Sequence, residues 1–323
     1  YTEPQYWLDN VQVHRVQVQP VVPLQDHVLL VNDQATPQVL SIPTGCWSDV
    51  NGVVQGATAT IPAFGSKVIY RIVGSGCNVV SQHTVGAKVF LGGALNWGGG
   101  VMRSDLRSLG LIPTVEPYTA LGLSLENAGA TVTSTMLQVT GDQAIVDWVV
   151  LELRNADAGY SVAARKAALV KANGEVISTD GTSQVLFSVP TAGKHLVIRH
   201  RNHLPAMTAA PLSANAAVVD MTSLNTTLYG IDPLQTESGK RALWPGDVNG
   251  NGAIKYTGLV NDRDPVLVAI GSVIPSSTVQ GYRAEDINLD GWTKYSGPGN
   301  DRDFILYSVG GSVPTTVRLG QLP

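Results

Sequence analysis

The last third of the chain contains one sequence pattern twice, in the same register. The first copy runs from Asp247 to Asp264 and reads DVNGNGAIKYTGLVNDRD; the second runs from Asp286 to Asp303 and reads DINLDGWTKYSGPGNDRD, an offset of 39 residues. Each copy has Asp or Asn at its first, third and fifth positions and Gly at its sixth. This spacing places side-chain oxygens around a tight turn, which suits Ca²⁺, a hard cation that takes about six to eight oxygen ligands.

The pattern predicts two Ca²⁺ sites and most of their ligands. The carbonyl of the seventh loop residue is expected to join the side-chain ligands, as it does in an EF-hand. The predicted ligands are Asp247, Asn249, Asn251 and the carbonyl of Ala253 in the first loop, and Asp286, Asn288, Asp290 and the carbonyl of Trp292 in the second.

The acidic residue that closes each site is displaced from its EF-hand position. Position twelve, where an EF-hand has a bidentate acid, holds Gly258 and Gly297. We therefore expect the closing carboxylate to come from the later NDRD segment, which leaves two alternatives in each loop. These are Asp262 or Asp264 in the first loop, and Asp301 or Asp303 in the second.

Ordinary surface turns are the alternative interpretation, because Asp, Asn and Gly also cluster there. Turns give no reason for both copies to share the K-Y-[ST]-G and N-D-R-D segments in register, so the duplication favours metal binding. A short apolar run follows each NDRD segment and predicts a short helix. Asn261 and Asn300 are expected to cap these helices, and Gly271 and Gly310 to end them.

Residues 246–323, with these duplicated loops, resemble the dockerin-like paired calcium module at the C-terminus of many secreted surface proteins of environmental Gram-negative bacteria. Dockerins of cellulose-degrading assemblies share the duplicated loop and bind cohesin domains, but the loops here are longer and the helices shorter. The segments LVIRHRNHLPAMTA (196–209) and MRSDLRSLGLIPTVEPYTALG (102–122) resemble the domain that usually precedes this module. The resemblance implies a secreted or cell-surface location and assigns no catalytic residue.

Composition predicts a mainly β protein without nucleic-acid or membrane-spanning character. Short runs rich in Val, Thr, Ile and Leu alternate with turn residues in a chain of 323 residues, enough for two or three domains. The net charge is −4, and no concentrated basic stretch of the kind that binds nucleic acid is present. No apolar run approaches the roughly 18 residues needed to span a membrane.

We divide the chain into three parts. Residues 1–80 are expected to form a small β-sandwich, preceded by YWLDNVQVHRVQV (6–18), which resembles the closing strand of a jelly-roll carbohydrate-binding module. Residues 81–245 are expected to form an immunoglobulin-like β-sandwich, with AIVDWVVLEL as a central, fully covered strand and TSTMLQVT as another strand. Residues 246–323 are expected to form the dockerin-like module. We expect the chain to be the C-terminal part of a longer protein.

The sequence contains no recognisable catalytic motif, so we predict that the chain is not an enzyme. His200 and His203 would point to opposite faces of a strand unless the strand ends between them, and we expect them to be structural. The acid pairs Asp142/Asp147 and Glu116/Glu126 are expected to be exposed loop charges, and Trp47 and Trp97 to be buried aromatics rather than sugar platforms. Cys46 and Cys77 are predicted to form a disulfide, with two separate buried thiols as the alternative.

Two classes of function follow from these observations. The favoured one is a non-catalytic, calcium-stabilised structural or attachment segment of a larger secreted or cell-surface protein, with a surface-filament subunit as a variant. The alternative is the accessory C-terminal tail of a polysaccharide-degrading enzyme whose catalytic domain lies upstream. Partners are expected among upstream domains of the same protein or other surface proteins, with polysaccharide and self-assembly left open.

Overall fold

A computed structural model describes residues 27–43, 45–50, 53–72, 83–181, 183–213 and 217–323. Strands make up 36% of the structure and helices 9%, which confirms the predicted mainly β class. The chain divides into two compact units, Tyr1–Val80 and Ser81–Pro323. The segment at 6–18 that resembles a jelly-roll strand lies outside the described residues. Within the described ranges, none of the helices has the length and apolarity to cross a membrane.

The described residues of the first unit contain six short strands. They are β1 (His27–Val31), β2 (Gln38–Ser41), β3 (Trp47–Asp49), β4 (Val54–Gln55), β5 (Thr58–Ile61) and β6 (Ser66–Arg71). Four of them form an antiparallel sheet in the order β1-β6-β3-β4, and β2 pairs with β5. Alternate residues of β5 face inwards, so that Ala59 and Ile61 pack with Leu30, Trp47 and Ile69 in one small core.

The second unit contains the remaining strands and the helices. Its strands before the duplicated segment are β7 (His83–Lys88), β8 (Leu95–Asn96), β9 (Val101–Met102), β10 (Ile145–Asn155), β11 (Val162–Lys171), β12 (Glu175–Ile177), β13 (Val185–Phe187), β14 (Lys194–His200), β15 (His203–Met207), β16 (Val218–Asp220), β17 (Gln235–Glu237) and β18 (Lys240–Ala242). A one-turn helix, α1 (Asp105–Ser108), and 3₁₀ turns at Met136–Gln138 and Gly141–Gln143 lie between β9 and β10.

An eight-stranded sheet organises this unit. Seven strands follow the order β13-β7-β12-β11-β10-β14-β15, and β16 joins the edge of β7 in parallel. The central strand β10 is buried at every residue from Ile145 to Arg154, as predicted from its continuous apolar run. Trp148, at its centre, is fully buried and donates a hydrogen bond from Nε1 to Pro113 O at 2.8 Å.

The predicted strand TSTMLQVT is wrong. Its centre forms the 3₁₀ turn at Met136–Gln138, because Thr133 satisfies the backbone locally: its carbonyl accepts from Leu137 N and its hydroxyl accepts from Met136 N. Hydroxyl side chains of this kind compete with strand pairing for backbone donors.

The duplicated segment adds two helices and four short strands. They are β19 (Ala253–Lys255), α2 (Arg263–Ala269), β20 (Thr278–Gln280), β21 (Trp292–Lys294), α3 (Asp301–Ser308) and β22 (Val317–Leu319). Both helices lie where the apolar runs predicted them. Each is followed by a glycine with positive φ, Gly271 at 96° and Gly310 at 106°, which no other residue adopts without strain.

The strands of the two repeats pair reciprocally. In the first repeat β19 lies in the loop and β20 follows the helix; in the second, β21 lies in the loop and β22 follows the helix. Strand β20 pairs with β21, and β22 pairs with β19, both antiparallel. Each loop is therefore completed by the tail of the other repeat. A shared core that includes Ile254, Val266, Ile287, Ile305 and Val309 lies between them.

Candidate metal centres

The first loop folds around the carboxylates of Asp247 and Asp262. Asp247 Oδ2 accepts from Gly252 N at 3.1 Å, whereas its Oδ1 is buried without a hydrogen-bond partner among the described residues. Asn249 Oδ1 and Asn251 Oδ1 accept from backbone nitrogens two residues further along, at 3.1 and 2.9 Å. Gly252, with φ at 81°, makes the bend of the loop.

The second loop repeats the same bonds at positions 39 residues later. Asp286 Oδ2 accepts from Gly291 N at 2.9 Å, and Asn288 Oδ1 accepts from Asp290 N at 2.8 Å. Asp290 Oδ1 accepts from Trp292 N at 2.9 Å. One difference is that Asp290, the counterpart of Asn251, also forms an ion pair with Lys294 at 2.5 Å.

The NDRD segment contributes its first acid to each loop and turns its second acid outwards. Asp262 Oδ1 accepts from Val248 N at 2.9 Å, and its Oδ2 accepts from Lys255 N at 2.8 Å. Asp301 makes the equivalent bonds to the second loop, at 2.6 and 2.8 Å, and both residues are fully buried.

The second acids, Asp264 and Asp303, lie in the first turns of α2 and α3, where their side chains are 59% and 57% exposed. Each accepts a hydrogen bond from the preceding capping asparagine, Asn261 or Asn300, and pairs with the adjacent arginine. Of the two alternatives in each loop, the geometry therefore places Asp262 and Asp301 beside the other predicted ligands.

Burial raises the pKa of all four inward carboxylates. It raises the pKa of Asp247 to about 6 and that of Asp286 to about 7. Burial, strengthened by the neighbouring Asp247, raises the pKa of Asp262 to about 7. Burial and the neighbouring Asp286 raise the pKa of Asp301 to about 8. None of the four forms a salt bridge with a described residue, so each loop holds two carboxylates that disfavour each other's ionisation.

The donor set fits a hard divalent cation. Each loop offers carboxylate and amide oxygens only, and no residue that the structure describes hydrogen-bonds to Asp247 Oδ1. Asp247, Asn249, Asn251, Asp262 and the Ala253 carbonyl would hold an ion in the first loop. Asp286, Asn288, Asp290, Asp301 and the Trp292 carbonyl would do so in the second. In the part of the chain that the structure describes, no group of three or more His, Cys, Asp or Glu side chains is arranged to hold a metal ion. The first set contains only two acids, and in the second set Asp290 is paired with Lys294.

The second loop packs closely against the segments that flank β8 and β9 and against the turn between β14 and β15. A Cβ added to Gly93 would lie 2.0 Å from Ile287 O, so only glycine allows this approach. Arg103 Nη2 donates to Asn288 O at 2.7 Å, and Asn202 Nδ2 donates to Asp286 O at 2.8 Å. The backbone of this loop is thus positioned by residues far away in the sequence.

His200 and His203 belong to a buried polar network beside this contact. Strand β14 ends at His200 and β15 begins at His203, so the two rings meet, with Nδ1 atoms 2.9 Å apart. His200 Nε2 lies 3.1 Å from Asp147 Oδ2, and Arg201 and the Tyr282 hydroxyl also bond Asp147. Burial lowers the pKa of both histidines, so they stay neutral at neutral pH. A neutral, hydrogen-bonded pair supports a structural role.

Two of the four predicted exposed acids are in fact buried. Asp147 is 0% and Glu116 4% exposed. The buried carboxylate of Asp147 is stabilised by its bonds to Arg201 and His200. That of Glu116 is stabilised by hydrogen bonds that it accepts from three backbone nitrogens of its own loop region. Trp47 is buried in the first unit as predicted, whereas Trp97 is half-buried and lines a shallow pocket.

Sequence reasoning missed an ionic cluster on the large sheet. Glu152, fully buried on β10, pairs with Arg154, Arg165 and Arg199 at 2.7, 2.5 and 3.0 Å. The arginines hold the pKa of Glu152 down at about 2, against the opposing effect of burial. The convergence of Arg165 and Arg199 on Glu152 depends on strand register, so no local sequence pattern indicates it.

No protein-family model, curated protein or solved structure matches this chain.

Proposed function

We propose that residues 246–323 form a paired Ca²⁺-binding module that rigidifies a non-catalytic, extracellular structural or attachment segment. The observation that carries the proposal is the pair of facing, buried carboxylates in each loop, Asp247 with Asp262 and Asp286 with Asp301, none of which forms a salt bridge with a described residue. Buried charges are normally paired or bound to metal, and a divalent cation would satisfy both acids of a loop at once.

Ca²⁺ is favoured over Mg²⁺ by the form of the loops. Their ligands come from backbone turns of irregular geometry, whereas Mg²⁺ prefers a near-ideal octahedron and retains several waters. Zn²⁺ is disfavoured because neither ligand set contains a cysteine or histidine.

The expected effect of Ca²⁺ on stability is large relative to the core of the module. At a free Ca²⁺ concentration 100 times the dissociation constant, each site would add about 2.7 kcal/mol to the free energy of unfolding. Two sites would contribute about 5 kcal/mol, comparable to the whole stability of a small domain. Residues 246–323 would thus depend on Ca²⁺ for their order.

The β-rich remainder fits a supporting role, with sandwich-type domains, immunoglobulin-like in residues 81–245, acting as spacers or docking surfaces. The secreted or cell-surface location rests on the resemblance of residues 246–323 to dockerin-like modules. The accessory tail of a polysaccharide-degrading enzyme and the subunit of a surface filament are the competing interpretations. A catalytic domain encoded upstream would support the enzyme-tail interpretation. Assembly that depends on protein concentration would support the filament interpretation.

Calorimetric titration of the whole chain with Ca²⁺ tests the proposal. We expect two sites, one removed by Asp247→Ala and the other by Asp286→Ala. Asp264→Ala and Asp303→Ala are matched controls, because they remove an acid from the same motif that points to solvent, and both sites should survive. An unaltered thermal midpoint in chelator, or equal loss of binding in controls and site variants, would show that the loops are ordinary turns.

A further inference from the structure

A pocket with a volume of about 650 Å³ lies between the large sheet and the first loop. Tyr118, Leu121 and Leu123 form an apolar wall, and Asp247 to Gly250 lie along another side. Arg165, Arg199 and Arg201 also line it. The pocket thus combines an apolar wall with three cationic side chains, the combination that binds an anionic group carried on an apolar body.

Arg165 and Arg199 are held in place by Glu152. In the sheet, Arg165 is directly opposite Glu152, and Arg199 is opposite Val150, two residues along the same face of β10. Arg165 Nε donates to Glu152 Oε2 at 2.5 Å, and Arg199 donates through Nε and Nη2 at 3.0 and 3.1 Å. Both side chains keep 26% of their surface exposed.

These bonds leave several N–H donors of the arginine side chains unused. Neither Nη group of Arg165, nor Nη1 of Arg199, hydrogen-bonds to any residue that the structure describes. Arg201 Nη2 is buried and likewise has no hydrogen-bond partner within the described ranges. A guanidinium has five N–H donors in a fixed plane, so the unused ones are already oriented for an oxyanion.

Three guanidinium groups converge on the pocket. Among the described residues, the ion-pair partners of Arg165, Arg199 and Arg201 are Glu152 and Asp147. Asp247 lines the side of the first loop, and Asp286 interacts electrostatically with Arg201. The case for an anion therefore rests on the oriented, unused N–H donors and not on an excess of positive charge.

We propose that this pocket binds a carboxylate carried on an apolar body, with the carboxylate oxygens accepting from Arg165 and Arg199 and the apolar body resting on Tyr118, Leu121 and Leu123. The arginines are fixed before the ligand arrives, so little side-chain entropy is lost on binding. The site rests on the sheet and its register, and it does not require a metal in either loop.

Benzoate is the probe, with benzamide as its neutral counterpart of the same shape, titrated by ligand-observed NMR against the whole chain in saturating Ca²⁺. We expect saturable benzoate binding and benzamide binding at least about tenfold weaker, because a hydrogen bond to a charged group is worth roughly one factor of ten or more. Arg199→Gln should weaken benzoate about tenfold, since one charged partner is lost.

Two further variants separate binding from folding. Ala120→Trp adds bulk at an exposed residue of the pocket wall, leaves Glu152 and its arginines untouched, and should abolish benzoate binding. Arg107→Gln removes a positive charge outside the pocket and should leave the affinity for benzoate unchanged. Equal binding of benzoate and benzamide, no saturable binding, an equal loss in Arg107→Gln, or stronger displacement by inorganic phosphate than by acetate would each overturn the proposal.

Discussion

Lowering the pH should weaken Ca²⁺ binding by different factors in the two loops. The ion binds the ionised carboxylates, so any proton on them must leave first. At pH 7 a group whose pKa is about 8, as for Asp301, is about nine-tenths protonated, and one whose pKa is about 7, as for Asp286, is about half protonated. Binding in the second loop should thus release about 1.4 protons.

The same reasoning predicts that Ca²⁺ binding to the first loop releases fewer protons. With pKa values of about 6 for Asp247 and about 7 for Asp262, binding at pH 7 should release about 0.6 protons. Between pH 7 and pH 6 the affinity of the second loop should fall about 50-fold and that of the first about tenfold. The difference arises because Asp286 and Asp301 are the more strongly perturbed pair.

Calorimetry in two buffers of different ionisation enthalpy measures the protons released, and Asp247→Ala and Asp286→Ala report one loop at a time.

The stability of the protein in chelator should depend on pH in the opposite direction to its affinity for Ca²⁺. The folded pKa values of the four acids exceed the ordinary 3.8, so the folded state holds more protons between about pH 4 and pH 8, and stability is lost as pH rises through that range. Chelator should therefore lower the thermal midpoint more at pH 8 than at pH 5. Affinities independent of pH from 6 to 8 would refute the reasoning.

Four other results are expected. Gly93→Ala should lower the free energy of unfolding by about 1 to 3 kcal/mol in chemical denaturation, because its Cβ would clash with the second loop. The control Gly98→Ala should change this free energy little, because no described atom lies closer than 3.7 Å to the added Cβ. Glu152→Gln should lower the free energy of unfolding by roughly 3 kcal/mol, because its arginines are left uncompensated. Since the pKa of Glu152 is lowered to about 2, its contribution to stability is present above pH 4.5 and is lost as the pH falls towards 2. An acid-unfolding transition that is identical in the variant would contradict this. Thiol titration of the unfolded, unreduced chain should find no free Cys46 or Cys77; Cys77 lies outside the described residues, so the disulfide stays a prediction. A panel of polysaccharide and ester substrates should show no hydrolysis above background, and turnover by the purified chain would contradict the non-catalytic interpretation.

The tight turns of the two loops could be predicted from the sequence because the residues that form them are close together along the chain. Alternation of Asp and Asn with a glycine at the sixth position specifies a tight turn by local chemistry alone. The choice of Asp262 over Asp264 could not be made, because it depends on where α2 begins. Asp262 directly precedes the helix and faces the loop, while Asp264 lies in its first turn and faces solvent.

Features that depend on strand register were beyond the sequence. Glu152 and Arg199 are 47 residues apart, and they meet only because β14 pairs with β10 in one particular register. A shift of one residue would send Arg199 to the other face. His200 and His203 meet for a related reason, since the strand ends between them. Burial of β10 was predictable because it follows from a continuous apolar run.

The reciprocal pairing of β19 with β22 and of β20 with β21 bears on how the duplicated segment could have arisen. A single 39-residue repeat contains a loop strand and a tail strand that do not pair with each other. Its loop strand would find the complementary tail only on a second copy, in a two-fold symmetric dimer. Gene duplication of such a dimerising peptide would join the two copies covalently and replace an encounter between molecules with one within a chain. The present segment has the arrangement that this history would leave.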